Sequence, residues 1–326
     1  MKKIILFISL SILLFSCEKN PLWVGESEFL TFNYSNRSGE GPVVSSSTIN
    51  KSHFIDFDSI WTVDEQNGTI QVILDGVRVQ SNRHNYEISQ INIYEKDDRS
   101  FDIQDEFTNL SSSFKTDVAT VLVLDMSESL EGLKDSLKEY AKRYVDKVVN
   151  SSESSQVAVV FFSSKENIYT TEFFHKDNAD ELKATIEEFS QSASRTALFQ
   201  ATQEGISILD SLTFEGSKAL VVFTDGGDND SDSPSTLKAS IAASNYARIS
   251  IGLKGNDFDK GDLEAIASSN NNVIVVDGEN KLEDAFEAVA RQVVSVYKII
   301  YERSDQILDE AIEVKFEFEV NKLVLD

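Results

Sequence analysis

Val121-Leu122-Val123-Leu124-Asp125-Met126-Ser127-Glu128-Ser129 sets four consecutive apolar residues against a polar run that opens on an acid. An apolar run without alternation marks a strand buried on both faces. Runs of the same kind follow at Val157 to Phe162, Ala219 to Phe223, Ile249 to Ile251 and Val273 to Val276. Between them apolar residues recur three and four apart, as in Leu130, Leu133, Leu137, Ala141, Tyr144 and Val148, or Leu198, Ala201, Gly205 and Ile208. The same spacing recurs at Leu182, Ile186 and Phe189, at Leu237 and Ile241, at Leu263 and Ile266, and through Leu282, Phe286, Val289 and Val293. That spacing predicts amphipathic helices, and strands alternating with helices predict a parallel sheet covered on both faces. The fold class expected for residues 117–298 is therefore α/β, a doubly wound, mostly parallel sheet of Rossmann-like type.

Outward from this block the periodicity changes to two. Leu30-Phe32-Tyr34, Ile70-Val72-Leu74, Val77-Val79 and Ile91-Ile93 alternate apolar with polar, with Asn67-Gly68 and Asp75-Gly76 as expected turns. Residues 29–116 thus read as a flanking β-sandwich-like domain. The Ser-, Gly- and Asn-rich stretch from Ser35 to Ser52 reads as a loop. Beyond residue 298, Ile312, Val314, Phe316, Phe318 and Val320 alternate with Glu313, Lys315, Glu317 and Glu319, which predicts a half-buried strand. No internal repeat is visible.

The residues that carry chemistry stand where the parallel strands end, the edge at which open α/β sheets bind ligands. One strand runs into Asp125-Met126-Ser127-Glu128-Ser129 and another into Thr224-Asp225-Gly226-Gly227. Residues 125, 127 and 129 alternate along an extended loop, so three oxygens face one point. With Thr196, in Ser194-Arg195-Thr196-Ala197-Leu198-Phe199, this pattern resembles the von Willebrand factor A (vWA) family and its metal-ion-dependent adhesion site, Asp-x-Ser-x-Ser, a separate Thr, then Asp-Gly. The resemblance covers residues 117–298. It implies a vWA fold and a metal site at Asp125, Ser127, Ser129, Thr196 and Asp225. It implies Mg²⁺ or Mn²⁺, with Ca²⁺ a further candidate, and one position left for an Asp or Glu of a protein ligand. In the family the hydroxyls ligate directly and the carboxylates often act through water. The flanks resemble those of many bacterial proteins with this domain, in which a closing strand returns to the N-terminal β-domain, here residues 299–326.

Other readings of the same residues stay open at this point. Asp125, Ser127 and Ser129 equally suit the cap of a helix beginning near Leu130, and Asp225-Gly226 equally suits a plain turn. Asp228-Asn229-Asp230-Ser231-Asp232 opens like a Ca²⁺ loop but has Ser233 and Ala239 where the Gly and Glu belong, so it reads as an acidic loop or a second cation site. His53, His84 and His175 are scattered, and no hydrolase or phosphate-loop motif accompanies them. Trp23 and Trp61 read as packing residues. A metal-dependent hydrolase would need a general base, for which only Glu128 and Asp228 offer themselves. The expectation is that the protein is not an enzyme.

The N-terminus addresses the compartment. Lys2 and Lys3 precede an apolar stretch from Ile4 to Phe15, too short to span a bilayer but suited to a secretory leader. It ends in Leu14-Phe15-Ser16-Cys17, which resembles the lipobox of bacterial lipoproteins, with residues 1–16 as signal peptide, Cys17 as lipidation site and 17–28 as tether. Cys17 is the single cysteine, so the mature chain has no thiol for a disulfide or a thiolate metal site. Loss of Lys2 and Lys3 reduces the 30 basic residues to 28 against 55 acidic ones, a net charge of −27. Such a surface repels nucleic acid. Glu18 after Cys17 favours the outer membrane over inner-membrane retention. The expected protein is lipid-anchored in the cell envelope and binds a protein ligand through a metal ion. The rival is an envelope-assembly protein whose metal only stiffens loops.

Overall fold

The computed structural model describes residues 28–36, 43–46, 53–56, 59–64, 70–81, 85–97, 100–108, 116–255, 257–303 and 312–323. The leader, Cys17, Trp23, Asn67-Gly68 and His84 lie outside the described residues.

Two sheets form the flanking domain. Its strands are β1 (Glu28–Asn36), β2 (Val43–Ser46), β3 (His53–Asp56), β4 (Ser59–Asp64), β5 (Ile70–Ser81), β6 (Asn85–Asp97) and β7 (Ser100–Thr108). Two more come from the far end of the chain, β15 (Tyr297–Arg303) and β16 (Ile312–Leu323). One sheet has the order β2-β1-β16-β6-β7, and the other joins β15, β5 and β3, with β4 also on β5. β16 lies between β1 and β6, antiparallel to both. Its alternation is expressed directly: Val314, Phe316, Phe318 and Val320 are buried against Leu30, Phe32, Val72, Leu74 and Ile299. Asp75-Gly76, expected as a turn, instead lies inside β5. Here β5 exchanges β4 for β3 as its partner, and Gly76 (φ 69°) supplies the bend that a side chain would resist. The stretch expected as a loop from Ser35 likewise contains β2, a short edge strand.

Between β7 and β15 the chain builds the α/β layers. The Thr116 N–H donates to Val296 O at 2.8 Å, so the entering and leaving segments run side by side. The sheet contains β8 (Val118–Asp125), β9 (Gln156–Phe162), β12 (Ser217–Thr224), β13 (Ala247–Leu253) and β14 (Val273–Val276), parallel in the order β9-β8-β12-β13-β14. Two short antiparallel strands, β10 (Ile168–Thr170) and β11 (Phe174–His175), extend it beyond β9. Every residue of β8 is buried, as an unalternating run requires. One face packs on α1 (Lys134–Val149), α2 (Ala179–Glu188) and α6 (Leu282–Val294), the other on α3 (Leu198–Ser211), α4 (Pro234–Ala243) and α5 (Lys260–Ile266). α3 sits close because Gly205 faces the sheet: a Cβ there would lie 2.7 Å from Leu220 Cδ1. Among the described residues no helix is long and apolar enough to cross a membrane.

Candidate metal centre

Asp125 is the last residue of β8, and Asp225 directly follows β12. From β8 the chain winds to β9 on one side and later to β12 on the other, so both acids stand at the carboxyl edge where strand order reverses. Asp125 is fully buried. Its Oδ1 accepts the Ser127 N–H at 2.9 Å and its Oδ2 accepts the Thr224 hydroxyl at 2.6 Å. Thr224 Oγ1 in turn accepts the Gly226 N–H at 3.1 Å, which joins the Asp125 carboxylate to the Asp225-Gly226 turn. The Ser127 and Ser129 hydroxyls lie 3.0 Å apart, and Ser129 Oγ donates to Asp225 Oδ1 at 3.0 Å.

The capping alternative does not describe this loop. Ser127 precedes only a 3-10 turn, Glu128–Leu130, and makes no side-chain capping bond; α1 begins later, at Lys134. Its hydroxyl is turned to Ser129 instead.

Thr196 reaches the same edge on a separate segment. That segment is tied to the first loop by the Glu128 N–H to Ala193 O (3.0 Å) and by Ser192 Oγ to Met126 O (2.8 Å), and to the end of β9 by the Ala197 N–H to Ser163 O (2.7 Å). Among the described residues no hydrogen bond links the Thr196 hydroxyl to the other four residues, of which Ser127, Ser129 and Asp225 are joined through their side chains and Asp125 through the Ser127 N–H.

Burial pushes the Asp125 carboxyl up to about 6, against the pull of its Thr224 and Ser127 bonds and with a further push from Asp225. Desolvation also raises Asp225, partly offset by Ser129 and reinforced by Asp257. A cation nearby would favour the ionised form of both carboxyls. Among the described residues no group of three His, Cys, Asp or Glu side chains forms a metal cage; the donors here are hydroxyls with carboxylates behind them. Adjacent oxygens of an octahedral Mg²⁺ shell with bonds of 2.0–2.1 Å stand about 2.9 Å apart. The 3.0 Å steps from Ser127 to Ser129 to Asp225 fit that spacing.

Residues 120–288, just over half of the chain, match the von Willebrand factor type A domain. This chain belongs to the vWA domain family. Several solved structures resemble it at low identity. Proximal thread matrix protein 1 from the mussel byssus, with a zinc-occupied MIDAS motif, is 20% identical (TM-score 0.46; 60% of this chain and 49% of that chain). The pilus adhesin SpaC from Lactobacillus rhamnosus GG is 13% identical (TM-score 0.48; 85% and 44%). A vWA protein from Catenulispora acidiphila is 12% identical (TM-score 0.48; 86% and 68%). This chain spans about half the length of the first two. No curated protein matches it.

Sequence reading missed what surrounds the vWA edge. Thr224 was visible only as the residue before Asp225. The acidic loop after β12 is engaged by protein groups throughout. Asp228 Oδ1 accepts the Phe199 N–H (3.2 Å) and the Ser231 hydroxyl (2.5 Å), and Ser231 Oγ accepts the Gln200 N–H (3.0 Å). Asp230 takes Arg195 and the Lys165 N–H, and Asp232 takes the Lys165 ammonium. The loop therefore caps α3, whose own N-cap position is Ala197 and supplies no capping side chain. Each of its three carboxylates already has donors, which accounts for the loop without a second ion. His175 is exposed, and His53 lies in β3, remote in sequence from either acid loop.

Proposed function

We propose that this protein grips a protein ligand through a divalent cation at the carboxyl edge of its vWA sheet. Ser127, Ser129 and Thr196 supply hydroxyl donors, and Asp125 and Asp225 supply the negative charge beside them. Mg²⁺ or Mn²⁺, when bound, provides a local positive charge that inverts the character of an acidic surface, so that an Asp or Glu of a partner is attracted there. The observation that carries this reading is the chain of 3.0 Å contacts from Ser127 through Ser129 to Asp225, above a fully buried Asp125.

Lipidation at Cys17 and a tether over residues 17–28 would hold the protein to the outer membrane. The sandwich of residues 29–116, completed by 299–326, would then present the vWA domain of residues 117–298. The reading includes no enzymatic step. Asp228 Oδ1 accepts the Phe199 N–H and the Ser231 hydroxyl, which supports a role for this carboxylate in holding the start of α3.

Calorimetry with Mg²⁺, Mn²⁺ and Ca²⁺ tests the site. Wild type should bind saturably and Asp225→Ala should not. Capture of a partner from envelope extract should disappear in EDTA and on replacing the partner's key carboxylate by its amide. Capture that is indifferent to EDTA would support the envelope-assembly reading instead.

A further inference from the structure

Thr196 is the one expected donor whose hydroxyl is not held by the other four, so something else must fix it. Its backbone is held on both sides by a single residue of the acidic loop: the Thr196 N–H donates to Asn229 Oδ1 at 2.9 Å, and Thr196 O accepts the Asn229 N–H at 2.9 Å. Thr196 itself is only 6% exposed, whereas Asn229 is exposed and buries nothing in a core. The loop bearing Asn229 is braced in turn. Gly227 N–H donates to Asp257 O (2.8 Å), Asp228 N–H donates to Asp262 Oδ2 (2.9 Å), and Lys238 pairs with Asp262 at 2.8 Å. Space behind the turn is short: a Cβ at Gly227 would lie 3.0 Å from Asp259 Cβ. The brace thus runs from α5 through the loop to the Thr196 peptide.

We propose that Asn229 is a positioning residue of the metal centre, clamping the Thr196 peptide so that the Thr196 hydroxyl meets the cation. The proposal rests on the metal-binding reading above. Partners outside the direct ligand set orient ligands, and their loss typically weakens metal binding 10–100-fold. Because Asn229 is exposed and acts on one ligand of five, the lower end applies, about tenfold.

The test uses the mature full-length chain as wild type, Asn229→Ala, Asn229→Asp, Thr196→Ala and the double variant Asn229→Ala/Thr196→Ala. In calorimetry with Mg²⁺ and Mn²⁺, Asn229→Ala should bind about tenfold more weakly. Asn229→Asp, which keeps the acceptor, should bind at least as well as wild type. The double variant should bind no more weakly than Thr196→Ala, because both changes act through one hydroxyl. In metal-free protein, hydrogen exchange at the Thr196 amide should accelerate in Asn229→Ala and stay slow in Asn229→Asp, while melting temperatures remain at the wild-type value. Wild-type uptake of metal with undiminished affinity in Asn229→Ala, or additive losses in the double variant, overturns the clamp alone. No uptake by wild type overturns the metal reading and the clamp's role in it. Unfolding of Asn229→Ala together with weak binding by Asn229→Asp would make Asn229 a purely structural residue, and would equally refute the proposal.

Discussion

A buried carboxyl raised to about 6 makes the metal-free protein lose stability as pH rises, which is the reverse of the usual aspartate. In the unfolded chain Asp125 has its ordinary value of 3.8, while in the folded protein burial lifts it to about 6. Between these values the folded state holds more protons than the unfolded state, so stability falls as pH climbs from about 4 through 6 and stays low above that. The difference amounts to about 3 kcal/mol. For a unit of this size that corresponds to roughly 6–12 °C in melting temperature. Asp125→Asn is the reference, because it cannot titrate and keeps an acceptor for the Ser127 N–H. Asp225, also raised chiefly by desolvation, remains in both proteins, so its burial contribution is common to the two profiles. Calorimetric melts from pH 4.5 to 7.5 in EDTA should therefore show wild type falling relative to Asp125→Asn by that amount. Adding Mg²⁺ at pH 7.5 should restore wild type, by about 2.7 kcal/mol at a concentration one hundred times the dissociation constant. At pH 4.5, where Asp125 is protonated, the same addition should do little. Parallel pH profiles for the two proteins in EDTA would refute the linkage, and equal Mg²⁺ stabilisation at both pH values would refute the role of Asp125.

Three further outcomes follow from the fold and the leader. Phe316→Ala deletes a buried ring stacked on Phe32 at 5.0 Å and should cost the flanking domain about 3–5 kcal/mol in urea unfolding, leaving Mg²⁺ affinity at the vWA edge unchanged. Gly205→Val should cost about 1–3 kcal/mol in thermal melts, because its Cβ would meet Leu220 Cδ1 at 2.7 Å and Val123 Cγ2 at 3.1 Å; an undiminished melting temperature would show that α3 can back away from the sheet. Cys17→Ser should abolish labelling by a palmitate analogue and leave the leader unprocessed, and persistent labelling would rule out Cys17 as the lipid site.

What was legible in the sequence was whatever depends on a residue and its near neighbours. β8 and β9 are buried along their whole length, so their apolar runs had no polar face to obscure them. The stripe on α1 is likewise a local period, with Leu137, Ala141, Tyr144 and Val148 all buried. Illegible were features in which a distant partner overrides local chemistry. Asp75-Gly76 has turn composition, yet it only bends β5, because strand pairing continues on either side of it, with β4 before and β3 after. β10 and β11 are three and two residues long and exist through their pairing with β9. Of the metal pattern, residue types and order were readable, whereas the support from Thr224 to Asp125 crosses 99 positions and that from Asn229 to Thr196 crosses 33.

The partners of the acidic loop were illegible for a related reason, and they bear on how an anionic ligand could approach. The full chain carries a net charge of −25, so a partner carboxylate meets repulsion over most of the surface. Around the centre, however, three acids are paired, Asp230 with Arg195, Asp232 with Lys165 and Asp262 with Lys238, while Asp257 adds its charge to that of Asp225. Asp228 is answered by backbone and hydroxyl donors at the start of α3, where the helix dipole also offsets its charge. Exposed charges more than about 8 Å away are largely screened at physiological ionic strength. The field felt by an arriving carboxylate is then set mainly by the centre itself. With no cation, Asp125 and Asp225 make it repulsive; under the proposed function a bound divalent ion would offset these two charges and offer an open coordination position to the arriving carboxylate. Under the proposed function, capture of the partner should therefore depend strictly on the cation.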